Sequence, residues 1–538
     1  MSSVTGIFTN NSKVIETEEL SKLLYSFCIL LDHRGQAGAG VVTANTKRIK
    51  EPLKGRGPAR GSVPFSQLRN ISDHTTFAGI AHNCYGKDRF LERENIHPVP
   101  VDSRTHDMYV VSDGILLDKN KRREALKDAG YKFISNTNGA VIGTTLAKYL
   151  DDGADEFEAG RNLIEDTYGA GGFSAVFLLR NRNTNKTKVV AVRDKTALKP
   201  LCCGEAYDTF FVVSESYPLK QFGVEEIQNV NGGDVVVFSD NGKEVKKFGD
   251  HKLEKKCIFE QIYFGGPEAL AFLKLGPKFS DYAKRLGVEV DSGYIPTNLF
   301  VRSCLGLAWT DRWKNGLPEP DIISPIVDSG RGVTDGIGVG YNKRVSEALV
   351  KTLAYRTFQI PNLEERFLEV LLKFKLIIDQ IKGNKIVVGD DSIVKGGVSG
   401  RSEYAESLKK ETVFFPRSKY GAIMQLKNIG DAEKIIMAIS YAPMYFQCPY
   451  GFEDMEHLAA QDSIGKPLID VCNDVSKLLE PDWEERQVLD VRYNPLGNVY
   501  DVCGKGHCAG CASGCYSVDE SFVPDVIKRR RELLVDAE

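Results

Sequence analysis

A β-branched run, Lys385-Ile-Val-Val-Gly-Asp-Asp-Ser-Ile-Val-Lys-Gly396, ends in two adjacent carboxylates, Asp390 and Asp391, and passes directly into Gly397-Val-Ser-Gly400. A buried strand of this kind delivers acidic groups to a sugar phosphate. Amides of the turn, with Ser392, Ser399 and the N-terminus of the next helix, would cradle a phosphate. The carboxylates would accept the paired hydroxyls of a ribose. An ordinary Asp-rich turn accounts for a strand or a loop alone, but not for strand, acid pair and Gly/Ser loop in this order.

The other concentrated chemistry is sulfur. Cys503, Cys508, Cys511 and Cys515 crowd one glycine-rich stretch, with His507 beside them. Thiolates two residues apart in such a turn can grip one metal ion or one cluster. Local spacing leaves zinc, completed by His507, and iron–sulfur equally open. A cytosolic setting argues against reading the cysteines as disulfides.

These groups need elements to hold them. The 538 residues allow about two to four domains. A hydrophobic content of 42% supports large cores, and a net charge of −3 carries no nucleic-acid or polybasic membrane signal. No apolar run approaches the roughly 18 residues of a membrane span, and the start, Met-Ser-Ser-Val-Thr-Gly-Ile-Phe, has no secretory pattern. A cytoplasmic enzyme with no nucleic-acid or membrane partner is therefore expected.

Up to about residue 250, short alternating strands dominate, among them Phe173–Leu179, Lys188–Val192, Phe210–Val213 and Asp234–Phe238. This predicts antiparallel sheets stacked face to face with helices outside. The charged stretch Asn241 to Lys256 reads as a linker or connecting strand. Beyond it, apolar strands such as Ile322–Val327 and Ile386–Val388 alternate with helical periodicity, as over Leu363 to Lys382, which predicts a parallel α/β sheet. The expected domains are 1–250 and 251–538.

Further motifs give the chain a resemblance. Leu31-Asp-His-Arg-Gly-Gln-Ala-Gly38, Ala191-Val-Arg-Asp-Lys-Thr-Ala-Leu-Lys-Pro-Leu201 and Ser214-Glu215 are similar to signatures of the glutaminase half of glutamine 5-phosphoribosyl-1-pyrophosphate (PRPP) amidotransferases. Val327-Asp-Ser-Gly330, Arg356-Thr-Phe358 and the Asp390-Asp391 segment are similar to their transferase half. The resemblance implies an N-terminal-nucleophile hydrolase-like αββα sandwich followed by a phosphoribosyltransferase-type parallel α/β domain. It implies PRPP binding by Asp328, Ser329, Gly330, Arg331, Asp390, Asp391, Ser392, Lys395, Gly396 and Ser399. Mg²⁺, carried mainly on the pyrophosphate of PRPP, would meet Asp328, Asp390 and Asp391. For sulfur, it implies a [4Fe-4S] cluster on Cys257, Cys448, Cys508 and Cys511, with Cys503 and Cys515 as neighbours. A homo-oligomer is also expected by this resemblance.

Against the family pattern, the glutaminase site is altered at four places. The nucleophile position holds Ser2 instead of cysteine. Cys84, in Ala81-His-Asn-Cys-Tyr-Gly-Lys87, stands where the family has the arginine that holds the glutamine carboxylate, with Lys87 or Arg89 as substitutes. Asp113, before Gly114, replaces the amide donor of the oxyanion hole, where loss of a donor removes on the order of 3 kcal/mol. Asn136, in Ser135-Asn-Thr-Asn138, replaces the acidic element that receives the substrate amine. The expectation is a first domain that keeps its fold without hydrolysing glutamine.

The transferase half departs less. Lys351 and Tyr355 stand out of register with the catalytic lysine and tyrosine of the family's flexible loop, and Lys373 and Lys375 retain a basic pair in the following helix. The expected chemistry is displacement of pyrophosphate from PRPP by ammonia or another amine, free or supplied by a partner amidotransferase. The alternative is a non-catalytic paralogue serving as regulatory or partner subunit of an active amidotransferase.

Overall fold

The strand Ser3–Thr9 is buried along its whole length because antiparallel neighbours flank both its edges, Thr209–Val213 on one and Thr76–Cys84 on the other. The computed structural model describes residues 1–86, 92–352, 372–396, 421–450, 458–480 and 483–535. Two units emerge: Met1–Cys257 with Pro449–Gly451 and Ser517–Phe522, and Ile258–Cys448 with Phe452–Tyr516 and Val523–Glu538.

In the first unit, one sheet runs in the order Gln228–Asn229, Cys202–Ala206, Thr209–Val213, Ser3–Thr9, Thr76–Cys84, Gly38–Asn45, Leu53–Arg56. The other runs Gly242–Lys247, Asp234–Ser239, Thr187–Arg193, Gly171–Asn181, His106–Leu116, Val99–Val101. Alternation along the strands separates two cores. Val111, Val176 and Val189 face Val4, Phe8 and Ile80 between the sheets. Their neighbours Val110, Phe177 and Val190 face outward to helices Asn138–Asp151 and Glu156–Thr167. Helix Glu19–Leu30 lies against strand Thr76–Cys84 of the first sheet. This is the αββα sandwich expected. The charged stretch after residue 240 contributes an edge strand, Gly242–Lys247, whose Lys and Glu side chains suit an unpaired border.

The second unit is built on four parallel strands in the order Ile322–Pro325, Lys385–Asp390, Lys434–Ile439, Leu489–Tyr493. Helices cover both faces of the two inner strands, whose Ile386–Val388 and Ile435–Ile439 are apolar and buried, while the edge strand Leu489–Tyr493 alternates with Asp490 and Arg492. Val387 and Ile436 pack with Trp309, Val333 and Ile337 on one side. Ile386, Val388 and Met437 pack with Ile423, Leu426 and Val475 on the other.

One expectation is corrected. The described part of the stretch read as a helix over Leu363 to Lys382 contains a strand, Phe374–Leu376, antiparallel to Leu349–Lys351. Phe374 is buried in the core and Lys375 is exposed, so the alternation serves a two-stranded ribbon, and Lys375 is a strand residue. Residues 353–371, with Tyr355 and the Arg356-Thr-Phe358 motif, lie outside the described residues, as do Lys87, Arg89 and Ser399.

Candidate active site

In the second unit, the acid pair stands at the carboxyl end of an inner strand of the parallel sheet, where such sheets bind ligands. The loop Val327 to Gly330 comes from the adjacent strand and is drawn onto it. The N–H of Ile326 donates to the carbonyl of Gly389 at 2.8 Å. A Cβ on Gly330 would lie 1.9 Å from that same oxygen, so only glycine permits the approach. The result joins two motifs remote in sequence, with Ser329 Oγ donating to Asp390 Oδ1 at 2.8 Å. Asp390 also accepts from the Asp391 N–H, and Ser392 Oγ donates to Asp391 Oδ1. Lys395 and Gly396 follow in the same turn.

Burial first, and the neighbouring Asp391 carboxylate second, push Asp390 well above the usual carboxylate range. Lys373 pulls the other way without prevailing. At the rim, Asp328 accepts from Lys351 Nζ at 2.7 Å and pairs with Arg331 at 3.2 Å, and Arg331 reaches Glu347 at 3.0 Å. Glu347 belongs to none of the sequence motifs, so only the fold brings it to Arg331. Asp328 is half-exposed and already paired, whereas the acid pair is buried. Among the described residues no three His, Cys, Asp or Glu side chains gather closely enough to hold a metal ion. A divalent ion on Asp328, Asp390 and Asp391 would therefore take most of its oxygens from the ligand it accompanies.

The thiols are partly assembled. Cys508 and Cys511 are buried, Cys448 is half-buried, and both Cys448 and Cys508 act electrostatically on Cys511. Burial pushes the Cys511 thiol up, while the Tyr441 hydroxyl, 3.2 Å from its sulfur, acts oppositely. Cys257 is the last residue of the first unit's long segment. The donor chemistry suits an iron–sulfur cluster, but a closed set does not form among the described residues. His507 is occupied otherwise, its Nε2 accepting from the Lys274 N–H at 2.8 Å.

In the first unit, two of the altered positions, Ser2 and Asp113, meet Arg34, Lys199 and Glu215 in a buried ion cluster. The Ser2 N–H donates to Asp113 Oδ1 at 3.0 Å, and Ser2 Oγ accepts from the Tyr85 N–H at 3.0 Å. Arg34 donates through Nε to the Ser2 carbonyl, binds Glu215 at 2.5 Å, and lies 3.5 Å from Asp113 Oδ2. Lys199 Nζ is 3.9 Å from Asp113 Oδ1, and His33 bonds Glu215 at 3.1 Å. Burial alone would raise Asp113, yet Lys199 and Arg34 hold it below its ordinary value. Gly114 has φ 130°, and a Cβ there would strike the Gly172 carbonyl at 2.2 Å.

Cys84 is buried and has Lys54 within electrostatic reach, a lysine whose pKa burial and then Arg93 bring down to about 8. Asn136 sits on an exposed turn, fixed by Asn95 and Arg123. Arg34 and Lys199 stand within the sequence motifs, but nothing along the chain shows that both lie beside Asp113.

Residues 92–221 match the model of a glutamine amidotransferase domain. Over 97% of this chain and 98% of the relative, the sequence is 26% identical to an amidophosphoribosyltransferase of Methanocaldococcus jannaschii. The chain resembles the amidophosphoribosyltransferases along nearly its whole length. The amidophosphoribosyltransferase of Mus musculus is 25% identical over 91% of this chain and 92% of its own. Among solved structures, glutamine PRPP amidotransferase from B. subtilis, complexed with ADP and GMP, superposes with a TM-score of 0.71 at 19% identity, covering 96% of this chain and 97% of that one. A structure described as the allosteric regulatory enzyme of purine biosynthesis superposes with a TM-score of 0.73 at 19% identity, covering 98% of each. The fold is thus that of an amidotransferase unit followed by a phosphoribosyltransferase unit.

Proposed function

We propose that the second unit binds Mg²⁺-PRPP and transfers its phosphoribosyl group to ammonia or another small amine. The observation that carries this reading is the buried Asp390-Asp391 pair, bonded through Ser329 to the loop that would receive pyrophosphate. Two adjacent buried carboxylates are a costly arrangement, and ribose hydroxyls would donate to them. Lys351 and Arg331 stand beside Asp328, at the edge a pyrophosphate would reach. In the reaction the amine nitrogen bonds to C1, the C1–O bond to pyrophosphate breaks, and the proton shed by nitrogen passes to solvent. Mg²⁺ would neutralise charge on the leaving pyrophosphate.

The first unit, in the same reading, holds its sandwich without releasing ammonia from glutamine. A carboxylate at position 113 repels an oxyanion where a donor is needed, and this one is already bonded to the Ser2 backbone. The cluster on Cys257, Cys448, Cys508 and Cys511 rests on donor type and on the resemblance. Protein purified without oxygen should be brown with about four iron and four sulfide per chain. A colourless preparation with stoichiometric zinc overturns that assignment.

The deciding measurement is pyrophosphate release on anaerobic incubation with Mg²⁺-PRPP and ammonia, repeated with glutamine alone. Release with ammonia and none with glutamine is expected. Glutamate formation by the parent chain, abolished in Ser2→Ala, would make the first unit a serine glutaminase instead. Absence of release with ammonia removes the transferase reading.

A further inference from the structure

Two neighbouring strands of the parallel sheet, Lys434–Ile439 and Leu489–Tyr493, are each followed by one short polar side chain, Ser440 and Asn494. Both are fully buried, a position that costs free energy unless the polar atoms find partners. Beyond the last ladder pair, Ile439 with Asp390, the Ser440 N–H donates to the Asp390 carbonyl at 3.1 Å, and the Tyr441 N–H to the Asp391 carbonyl at 3.0 Å. Ser440 Oγ donates to the Asp391 carbonyl as well, at 3.2 Å. The main chain that carries both carboxylates is thus held by the strand beside it.

Asn494 holds Ser440 in turn. Its Nδ2 donates to the Ser440 carbonyl at 2.9 Å and to the Leu305 carbonyl of helix Asn298–Trp313 at 3.0 Å, while its N–H donates to the Ile439 carbonyl at 3.0 Å. Asn498 Nδ2 donates to Asn494 Oδ1 at 3.1 Å, which fixes the way the amide faces. The same helix also secures the end of the strand that leads into Asn494. Trp309 Nε1 and Trp313 Nε1 donate to the carbonyls of Arg492 and Tyr493, at 2.8 and 2.9 Å. A series of buried bonds therefore runs from the helix through Asn494 and Ser440 to Asp391, although neither Ser440 nor Asn494 belongs to a sequence motif.

We infer that Ser440 and Asn494 are positioning residues for the Asp390-Asp391 pair. They act through the main chain of Asp391, whose N–H donates to Asp390 Oδ1 at 2.9 Å and so passes its placement on to the other carboxylate. A ribose that offers two hydroxyls to two carboxylates needs both at a fixed spacing, and slack in this series weakens the hold on the sugar. The loop Val327 to Gly330 is tied to the strand upstream of Asp391, through the Ile326 N–H and the Gly389 carbonyl, and stays in place. The inference rests on the reading of the pair as a ribose site, and its test separates the two.

The test uses the full chain prepared without oxygen and compares the parent with Ser440→Ala and Asn494→Leu. Calorimetry gives the Kd for Mg²⁺-PRPP and for Mg²⁺-pyrophosphate, and mass spectrometry follows amide hydrogen exchange in the peptides that hold Asp391 and Tyr441. Ser440→Ala removes only the hydroxyl, so it decides the matter if Asn494→Leu, which strips a donor from two buried carbonyls, folds poorly. Ser440→Ala should weaken Mg²⁺-PRPP roughly five-fold, the scale of one neutral hydrogen bond, speed exchange around Asp391, and leave Mg²⁺-pyrophosphate binding unchanged. Asn494→Leu should act in the same direction and more strongly. A merely structural role would weaken both ligands alike. That result, or unchanged exchange around Asp391 in Ser440→Ala, overturns the inference, as does unchanged Mg²⁺-PRPP binding by that variant when the parent binds it. Faster exchange around Asp391 in the variants of a parent chain that does not bind Mg²⁺-PRPP supports the positioning and removes the ribose reading.

Discussion

Each unit buries a carboxylate at its most reactive corner, and the two are treated in opposite ways. Asp113 is surrounded by Lys199, Arg34 and the Ser2 N–H, and is held below its ordinary pKa. Asp390 stands beside another carboxylate with Ser329 as its side-chain partner, and is pushed well above. An anion already answered by fixed cations offers little to a ligand. A buried one crowded by a second carboxylate gains when hydroxyls and a divalent ion arrive. The same residue type therefore closes one site and prepares the other.

The sharpest way to break this contrast is Arg34→Met, which leaves Asp113 and Glu215 buried with less compensation. A loss of about 3–5 kcal/mol is expected, read as an earlier unfolding transition in urea. A loss below about 1 kcal/mol would mean that water reaches the cluster and the closed-site account is wrong. Next comes Asp390→Asn combined with Asp391→Asn. A ligand at 100 times its Kd stabilises its protein by about 2.7 kcal/mol, and this variant should lose the whole Mg²⁺-PRPP-dependent thermal shift. Equal shifts in parent and variant would dismiss the ribose site.

Titration gives a subtler separation. Asp390 in the folded chain holds its proton above the ordinary aspartate value near 4. The parent therefore loses stability as pH rises from that value through the raised one, and does not regain it above. Asp390→Asn has no such loss, so its Tm should exceed the parent's by a margin that opens with rising pH. A constant margin counts against the raised pKa. Asp113 and Glu215, both depressed, behave in reverse. Their contribution is present above about 4 and disappears as pH falls through their folded values. The smallest effect belongs to Glu347→Gln, since the pair with Arg331 is half-exposed at both ends. A stability change under about 1 kcal/mol is expected.

Much of the second unit's site could be read in the sequence because its chemistry is contiguous. The order of strand, acid pair and loop lies within one short stretch, and the alternation of apolar strands with helices announced a parallel sheet whose strand ends bind ligands. The helical reading of Leu363 to Lys382 failed in its described part for a local reason. Phe374 flanked by lysines fits either period, and only pairing with Leu349–Lys351 selects the strand. The four altered positions near Ser2 were equally visible one by one, at Ser2, Cys84, Asp113 and Asn136.

What no local window contains is their sum. Lys199 meets Asp113, and Arg34 joins Ser2, Asp113 and Glu215, only because two sheets stack with a particular register. Tyr441 reaches Cys511 only because the chain leaves the sheet beside the acid pair and returns to the cysteine turn. By itself the sequence determined which side chains were available and which strands would be buried, since periodicity and contiguous motifs are properties of neighbours along the chain. The tertiary structure alone decided which carboxylate is held ionised and which is pushed toward its neutral form, because burial and long-range pairing set the energy of a charge, and both arise from the packing of distant segments.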